Sequence, residues 1–241
     1  MPNEVLIIVP AYNEAEGIGR VLARIREEIP EADILVVNDG SSDRTGDRAR
    51  EAGAIVLELT CNLGIGGAVQ TGYLYALAHG YKIAAQIDAD GQHDPADFSR
   101  MLAELRHGGF DLVVGSRFLE KRGFQSTFAR RIGIHMLAGL LTRLLGRRVT
   151  DPTSGYRVCG ERAIALFAEE YPSDYPEVEA LVLLDNSGCT FGEVPVVMKE
   201  REAGTSSIRP LHSVVYMAKV ILAVLITRSK RTWKWRMGYE A

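Results

Sequence analysis

The sequence contains little cysteine, no excess of basic charge and no hydrophobic leader at its start. Three cysteines among 241 residues, widely spaced and without a CxxC motif or a histidine partner, argue against a disulfide framework or a zinc site. A net charge of -3 supplies no basic face, so nucleic acid is not an expected partner. The opening MPNEVLIIVPAYNE has an acidic residue before a short apolar run, unlike a signal peptide. These absences predict a chain that stays in the cytoplasm.

Hydrophobic residues make up 46% of the chain, which is enough to bury the core of one domain. We assign residues 1–209 to this domain and residues 210–241 to a tail. Short apolar runs alternate with amphipathic stretches over about the first hundred residues, which predicts an α/β fold with a mostly parallel, Rossmann-like sheet and helices on both faces. The predicted strands are 5–9, 33–37, 54–59, 82–87, 111–115 and 192–199, and the clearest helices are near 18–25, 68–78 and 128–145.

Polar side chains follow three of the predicted strands, at the edge of the sheet where such folds bind ligands. They are Tyr12, Asn13 and Glu14 after the first strand, Asp39 after the second, and Asp88 with Asp90 after the fourth. Ser41 or Ser42 is expected to cap the next helix. No complete GxGxxG follows the first strand, which disfavours a nicotinamide-dependent oxidoreductase. Without a P-loop lysine, glycines 64, 66 and 67 are more typical of the start of a helix than of a phosphate cradle.

Asp88 and Asp90 are the sharpest local signal for chemistry. They lie two residues apart at a strand end, so both carboxylates can face one hard cation, and Gln92 offers a further oxygen. A solvated acidic turn before Asp94 and Pro95 is an equally common use of such a sequence. A diphosphate leaving group favours the metal interpretation, because Mg²⁺ or Mn²⁺ neutralises the charge that develops on it.

Segments spread over nearly the whole chain resemble the family 2 inverting glycosyltransferases, in particular the dolichyl-phosphate mannose synthase and polyprenyl-phosphate glycosyltransferase branch. These segments are VPAYNE (9–14), NDGSSDRT (38–45), NLGIGGAVQTG (62–72), DADGQHDP (88–95), GSR (115–117), DPTSGYR (151–157) and EREAGTSS (200–207). The resemblance implies a GT-A fold in which Asp88 and Asp90 form the DxD motif. Asn38 stands where many relatives have an aspartate, which leaves Asp39 as the candidate for contacting the base.

The resemblance also implies which residues bind the donor. Asp88, Asp90 and Gln92 are expected to bind Mg²⁺ or Mn²⁺ and the diphosphate, and Arg201 is expected on a mobile acceptor loop that closes on the phosphates. The nucleotide-sugar site implied in this way consists of Pro10, Ala11, Tyr12, Glu14, Asp39, Gly66, Asp88, Ala89 and Arg201.

Two kinds of acceptor predict different catalytic residues. A phosphate monoester is already anionic and attacks without a general base. The resembling synthases hold it with arginines that match Arg117 and the pair Arg130 and Arg131. We therefore expect inverting transfer of a hexose from a UDP- or GDP-sugar to a polyprenyl phosphate. The residues ranked as catalytic are Asp90, Arg117, Arg131 and Asp151.

A sugar hydroxyl as acceptor, in polysaccharide or glycolipid assembly, needs a general base instead. The candidates for that base are Asp151, Asp174, Glu177 and Glu179. The non-enzymatic alternative is a nucleotide-sugar binding subunit of a membrane complex, against which the complete set of metal and phosphate residues argues.

The C-terminal tail predicts contact with a membrane. Leu211 to Thr227 is almost wholly apolar, but polar residues 212, 216, 219 and 227 fall near one helical stripe and the run is short for a span. The basic and aromatic cluster from Arg228 to Arg236 suits anionic head groups. We expect an amphipathic helix that lies on the inner face of the membrane or on a small membrane subunit. Packing on the domain is the alternative. Leucines 137, 140, 141, 144 and 145 form a second stripe that is either core or a membrane-facing platform.

Overall fold

The structure is a computed structural model that describes residues 3–120, 128–199 and 213–230. Its centre is a seven-stranded sheet with the strand order β3-β2-β1-β4-β6-β5-β7. The strands are β1 (Val5–Ala11), β2 (Asp33–Asn38), β3 (Ile55–Glu58), β4 (Ile83–Gln86), β5 (Leu112–Ser116), β6 (Arg157–Gly160) and β7 (Phe191–Pro195). The helices are α1 (Ile18–Glu28), α2 (Thr45–Glu51), α3 (Gly64–Ala78), α4 (Phe98–His107), α5 (Phe128–Leu145), α6 (Glu161–Glu169), α7 (Pro176–Asn186) and α8 (Ser213–Ser229).

The central strands are buried on both faces, which explains their continuous apolar sequences. Along β1, Leu6 and Ile8 pack into one apolar cluster with side chains of α3, α5, α6, α7 and α8. Ile7 and Val9 pack into a second cluster with side chains of α1, α2 and α4. This alternation along the strand confirms the predicted α/β architecture with helices on both faces.

One strand of the sheet runs against the others. Strand β6 pairs antiparallel with both β4 and β5, whereas the remaining pairings are parallel. Arg157, the first residue of β6, lies opposite Gln86, the last residue of β4. The segment 151–157 therefore reaches the edge where the parallel strands end, although it precedes a strand instead of following one.

Two details of the sequence interpretation change. Helix α3 begins at Gly64 and not at Ala68, so glycines 64, 66 and 67 lie in its first turn, as the helix-start interpretation predicts. The leucine stripe of α5 belongs to the core, because Leu137, Leu141 and Leu145 are buried and Leu140 and Leu144 are partly buried against the same cluster. The interpretation of this stripe as a membrane-facing platform is wrong.

Candidate active site

The loops after β1 and β2 are joined by hydrogen bonds through Asn13. This residue has a φ of 56°, in the left-handed region that few residues other than glycine adopt. Its backbone N–H donates to Ser41 Oγ at 2.9 Å, and its Oδ1 accepts from the N–H of Ser42 at 2.9 Å. Ser41 Oγ also donates to Asn38 Oδ1. These bonds offset the strain at Asn13 and fix the loop that carries Tyr12 and Glu14.

A second clamp joins the same loops through Asp43. Its Oδ1 accepts from the N–H of Thr45 at 2.9 Å and its Oδ2 from the N–H of Ala15 at 3.1 Å, while Thr45 Oγ1 accepts from the N–H of Glu14 at 2.8 Å. Burial acts to raise the pKa of Asp43, but the hydrogen bonds from Thr45 and Ala15 outweigh it and lower the pKa below 3.8.

The prediction that a serine caps the helix after β2 is wrong. Helix α2 begins at Thr45 and no side-chain hydrogen bond caps it at the preceding residue. Ser41 and Ser42 instead form the contacts with Asn13. Serine hydroxyls bond to whichever backbone group the fold brings near, and here that group belongs to a loop about thirty residues away in the sequence.

Asp39 is buried at the start of α3. Its Oδ1 accepts from the N–H of Leu63 at 2.7 Å, and its Oδ2 accepts from the N–H of Gly64 at 2.9 Å. The carboxylate thus satisfies donors at the beginning of a helix that would otherwise need an anion or water. Asp39 lies between the loop after β1 and this helix, with a fixed orientation.

Gly66 is required by the packing of α3. A Cβ at this position would lie 2.4 Å from the carbonyl oxygen of Pro172 and 2.6 Å from that of Ser173. Pro10 and Ala11 are buried residues of β1, and the Tyr12 ring beyond them is 51% exposed. The backbone N–H of Asp39 donates to the carbonyl oxygen of Ala11 at 2.9 Å, so Tyr12 follows the strand end beside the buried Asp39, and an exposed ring there is suited to a planar ligand.

The side chains of Asp88, Asp90 and Gln92 follow β4 at the centre of the edge. Asp88 Oδ1 accepts from Gln86 Nε2 at 3.0 Å, and Asp90 Oδ1 accepts from the N–H of Gln92 at 3.0 Å. Gln92 Nε2 donates to the carbonyl oxygen of Lys199 at 3.3 Å, so its Oε1 is the end that remains for a ligand. Ala89 between the two aspartates is buried.

This donor set fits a hard divalent cation, because carboxylate and amide oxygens are the ligands that Mg²⁺ and Mn²⁺ prefer. Across the three described ranges, no three histidine, cysteine, aspartate or glutamate side chains come together as a metal cage. Oxygens from a phosphate ligand and from water would complete the coordination, as is usual for Mg²⁺ at phosphate-binding sites.

Arg117 and Asp151 form a buried ion pair at the end of β5. Arg117 donates to the Asp151 carboxylate from Nε at 2.6 Å, from Nη2 at 2.7 Å and from its backbone N–H at 3.1 Å. Nη2 also donates to Thr153 Oγ1 at 2.7 Å. Glu193 on β7 accepts from the backbone N–H of Asp151 at 3.0 Å. Both carboxylate oxygens of Asp151 are therefore used to orient Arg117, which is a poor arrangement for a general base.

Glu177 is the candidate base whose pKa is influenced by the charge of Asp88. Burial raises its pKa above 4.5, and the carboxylate of Asp88 acts in the same direction, while the charges of Arg157 and Arg130 lower it. Glu177 itself is half-buried at the start of α7, and Arg130 is exposed on α5. Arg131, next to Arg130 on α5, is half-buried and takes part in polar interactions.

The other two candidate bases have different surroundings. Asp174 is exposed before α7. Glu179 Oε2 accepts from Thr227 Oγ1 of α8 at 3.0 Å, and burial raises the pKa of Glu179. Glu179 thus joins α7 to α8. Arg201 lies outside the described residues.

Helices α5 and α8 present apolar side chains on the outside of the molecule. Ile132 and Met136 of α5 are 50% and 60% exposed. Leu222, Leu225 and Ile226 of α8 are 59%, 45% and 50% exposed. Within residues 3–120, 128–199 and 213–230, no helix combines the length and the apolar character that crossing a bilayer demands.

The opposite face of α8 packs on α7, where Val220, Val224 and Thr227 are buried. Arg228 Nη1 donates to Asp185 Oδ2 at 2.6 Å, and Lys230 Nζ lies 3.5 Å from Glu170 Oε1. Thr227, predicted on the polar stripe of the helix, is therefore buried. Part of the basic cluster pairs with carboxylates of the protein itself, and residues 231–236 of that cluster lie outside the described residues.

Four residues around the DxD motif were not singled out from the sequence: Gln86, His93, Gly155 and Arg157. His93 is 4% exposed and accepts from the N–H of Asp88, while Arg157 is fully buried and donates to the carbonyl oxygens of Ser154 and Glu177. Within the described part of the chain, Arg157 Nη1 has no hydrogen-bond partner. His93 lies inside the segment 88–95, and Gly155 and Arg157 lie inside the segment 151–157, which was the available signal for these three, whereas Gln86 lies in neither segment.

Comparison with known proteins gives a consistent result. The sequence profile of the family "Glycosyl transferase family 2" matches residues 6–171. An undecaprenyl-phosphate mannosyltransferase from Micrococcus luteus is 38% identical over 213 residues, which are 85% of this chain and 87% of that protein. A polyprenol monophosphomannose synthase from Mycolicibacterium smegmatis is 33% identical over 213 residues, 84% of this chain and 80% of the other.

A solved structure shares the fold. Glucosyl-3-phosphoglycerate synthase from Mycobacterium tuberculosis, in complex with Mn²⁺, UDP and glucosyl-3-phosphoglycerate, aligns with a TM-score of 0.69 at 22% sequence identity. The alignment covers 92% of this chain and 79% of the synthase. At this identity the likeness shows the fold, and it confirms the expected GT-A architecture.

Proposed function

Because this chain belongs to glycosyl transferase family 2, and is therefore a glycosyltransferase, we propose that it transfers a hexose from a nucleotide-diphosphate sugar to a polyprenyl phosphate, with inversion. One observation supports a polyprenyl phosphate as the acceptor. The chain is 38% identical over 213 residues to a protein named undecaprenyl-phosphate mannosyltransferase, and the match covers 87% of that protein. The polyprenol monophosphomannose synthase, matched over 80% of its length, supports the same acceptor class.

The donor site in this proposal is the edge formed by β1, β2 and β4. The nucleoside binds against Tyr12 and Asp39, with Pro10, Ala11 and Glu14 shaping the loop. Asp88, Asp90 and Gln92 would hold Mg²⁺ or Mn²⁺, and the bound ion would supply positive charge to neutralise the diphosphate leaving group. Gly66, Ala89 and Arg201 remain predicted members of this site. The loop geometry favours a preformed pocket, because Asn13, Asp43 and Asp39 are each fixed by hydrogen bonds.

The acceptor phosphate in this proposal binds beside Arg117 and Arg131. Asp151 holds the Arg117 guanidinium with charge-assisted hydrogen bonds at 2.6 and 2.7 Å, so its direction is set before a ligand arrives. A phosphate monoester dianion attacks the anomeric carbon directly and needs no proton acceptor. Asp151 therefore acts as a positioning residue in this reaction, and Asp90 acts on the donor side.

A second candidate function is transfer to a saccharide hydroxyl. Glu177 favours it, because burial raises the pKa of this half-buried carboxyl and the charge of Asp88 acts in the same direction, as expected of a general base. Replacing Glu177 by glutamine separates the two functions. Transfer to a hydroxyl should fall by about a hundredfold or more without its base, whereas transfer to a phosphate should retain the larger part of its rate.

The proposed location is the inner, cytoplasmic face of a membrane, where a polyprenyl phosphate presents its head group. The apolar side chains exposed on α5 and α8 form a surface suited to the lipid interface or to a small membrane subunit. In this view residues 1–209 form the catalytic domain and residues 210–241 the attachment tail, with a basic cluster that suits anionic lipid.

The transfer assay uses radiolabelled UDP- and GDP-sugars with undecaprenyl or dolichyl phosphate, in Mg²⁺ or Mn²⁺ and in EDTA. Label should enter the lipid phase only with metal and only in the wild type, not in Asp90→Ala. Label that enters saccharide acceptors and never the lipid would favour the hydroxyl reaction. If no acceptor is labelled while nucleotide-sugar still binds, the chain is a binding subunit.

Membrane attachment is tested by flotation with vesicles that contain anionic lipid. Removing residues 211–241, or changing Leu225 and Ile226 to glutamate, should release the protein from the vesicles. The matched control changes Leu74 and Leu77, two half-exposed leucines of α3, to glutamate and should leave binding unchanged. Equal flotation of all four proteins would refute attachment through α8.

A further inference from the structure

His93 is buried next to the loop that carries Asp88, to which it is hydrogen-bonded. Only 4% of the residue is exposed. Its ring stacks on the ring of Tyr156, with centroids 5.0 Å apart and planes 17° from parallel. The Tyr156 hydroxyl in turn donates to the carbonyl oxygen of Asp94 at 3.1 Å, so the stacking partner is itself fixed. A buried polar ring needs polar partners, and atoms of Asp88 lie 3.1 Å from one ring nitrogen of His93 and 3.7 Å from the other.

The hydrogen bonds determine which nitrogen of His93 carries the proton. The backbone N–H of Asp88 donates to His93 Nδ1 at 3.1 Å. A backbone N–H can only donate, so Nδ1 must accept and the ring proton lies on Nε2. Nε2 is 3.7 Å from Asp88 Oδ2. The same ring therefore supports the backbone of Asp88 on one side and places an N–H near its carboxylate on the other.

The Asp88 carboxylate is confined from two further directions. Its other oxygen, Oδ1, accepts from Gln86 Nε2 at 3.0 Å. A Cβ at Gly155 would lie 3.2 Å from Asp88 Oδ2 and 3.0 Å from Gln86 Nε2, so any side chain there would press on both groups. The carboxylate is thus bonded by Gln86 on one side and closely approached by Gly155 and His93 on the other, which reduces the orientations it can take.

We propose that His93 is a positioning residue for the divalent cation: its Nδ1 holds the backbone N–H of Asp88, and its Nε2–H, 3.7 Å from the Asp88 carboxylate, favours the orientation of that carboxylate that binds the metal. The proposal rests on the proposed function, since it takes Asp88 as a metal ligand. A neutral ring on this side orients the carboxylate without competing for it as a cationic partner would. A preformed ligand lowers the entropy that metal binding must overcome. The identity of the sugar and of the acceptor does not enter the proposal.

Three substitutions separate the roles of the ring. His93→Phe keeps the stacking on Tyr156 and loses both nitrogens. His93→Asn keeps an acceptor near the position of Nδ1, and His93→Gln keeps a donor near the position of Nε2. The control is His107→Phe at the exposed end of α4. Mn²⁺ affinity is measured with UDP and with GDP from the electron paramagnetic resonance signal of free Mn²⁺, and stability is measured by thermal unfolding in EDTA.

His93→Phe should weaken Mn²⁺ binding by about 10–100-fold, the range found for groups that orient metal ligands. Each of the other two variants should recover part of this loss, and transfer by His93→Asn should rise towards the wild-type rate as Mn²⁺ is increased. A purely structural role would lower the unfolding temperature in EDTA and leave the Mn²⁺ affinity of the folded fraction unchanged, which would overturn the proposal.

If His93→Phe does not fold, the Mn²⁺ affinities of His93→Asn and His93→Gln test the proposal. Wild-type Mn²⁺ affinity in both variants would overturn the proposal. Failure of the wild type to bind Mn²⁺ with either nucleotide would instead refute the metal requirement of the proposed function, and the role of His93 with it.

Discussion

Replacing Asp151 by asparagine should destabilise the protein strongly, because it leaves Arg117 charged and buried without a counterion. Asp151 is fully buried, Arg117 is 8% exposed, and three donors of Arg117 point at the carboxylate. An amide can accept at one of the two oxygen positions, but at the other it presents N–H groups to the guanidinium. Removing one partner of a buried pair costs about 3–5 kcal/mol. At about 2–4 °C per kcal/mol for a chain of this size, the unfolding temperature should fall by roughly 10 °C.

The measurement is urea and thermal unfolding, followed by circular dichroism, of the wild type and two single variants. Glu4→Gln is the matched control, since it makes the same change in an exposed pair in which Glu4 Oε1 lies 3.7 Å from Lys82 Nζ. It should cost less than about 0.5 kcal/mol. Adding Arg117→Met to Asp151→Asn removes the unpaired charge and should restore at least about 1 kcal/mol. A cost below about 1 kcal/mol for Asp151→Asn, or no recovery in the double variant, would refute the reasoning.

Three further substitutions test the site. Asp39→Asn should weaken nucleotide binding, measured by calorimetry. It should also lower the free energy of unfolding, measured in urea, by about 1 kcal/mol, because a neutral amide is a poorer acceptor for the two N–H groups at the start of α3. Unchanged stability would contradict the contacts of Asp39. Gly66→Ala should reduce stability by about 1–3 kcal/mol through the clash with Pro172, whereas an effect on nucleotide binding alone would contradict the packing role. Glu177→Gln should gain stability relative to the wild type as the pH rises above 4.5. The pKa of Glu177 is higher in the folded protein than in the unfolded chain, so ionisation disfavours the folded state of the wild type. A difference in the free energy of unfolding that does not change with pH would contradict the burial of Glu177.

The sequence predicted those features that depend on short segments. β1 to β4 are continuous apolar runs ended by polar residues, and the DxD loop follows directly from the end of β4. The edge of the sheet then brings Asp39 and Asp88 to one side, as parallel strands require.

Features that depend on distant partners could not be predicted. Asp39, which comes from another loop, accepts hydrogen bonds from the N–H groups of Leu63 and Gly64 at the start of α3. The helix therefore begins before the residue that the apolar periodicity indicates. Asp151 is expected among the site residues, but its ion pair with Arg117, 34 residues earlier, could not be predicted from either segment alone. His93 is buried by stacking on Tyr156, and a single histidine after an acidic motif gives no sign of such burial.

Because β6 is antiparallel to its neighbours, it begins at the edge of the sheet where the parallel strands end, and the candidate site residues gather at that one edge. Among the described residues, the loops that follow β1, β2, β4 and β5 and the segment that precedes β6 lie at one edge of the sheet, so the turns that lead from helices into parallel strands lie on the opposite side. Gly80, Gly109 and Gly188 are in three of these turns, and no atom lies within 4 Å of a Cβ built at any of them. A fluorescent label or a short affinity sequence inserted in the turn at Gly80 would therefore be carried away from donor and acceptor alike. A protein tethered to a surface through this turn would present the edge that carries the candidate site to a lipid layer.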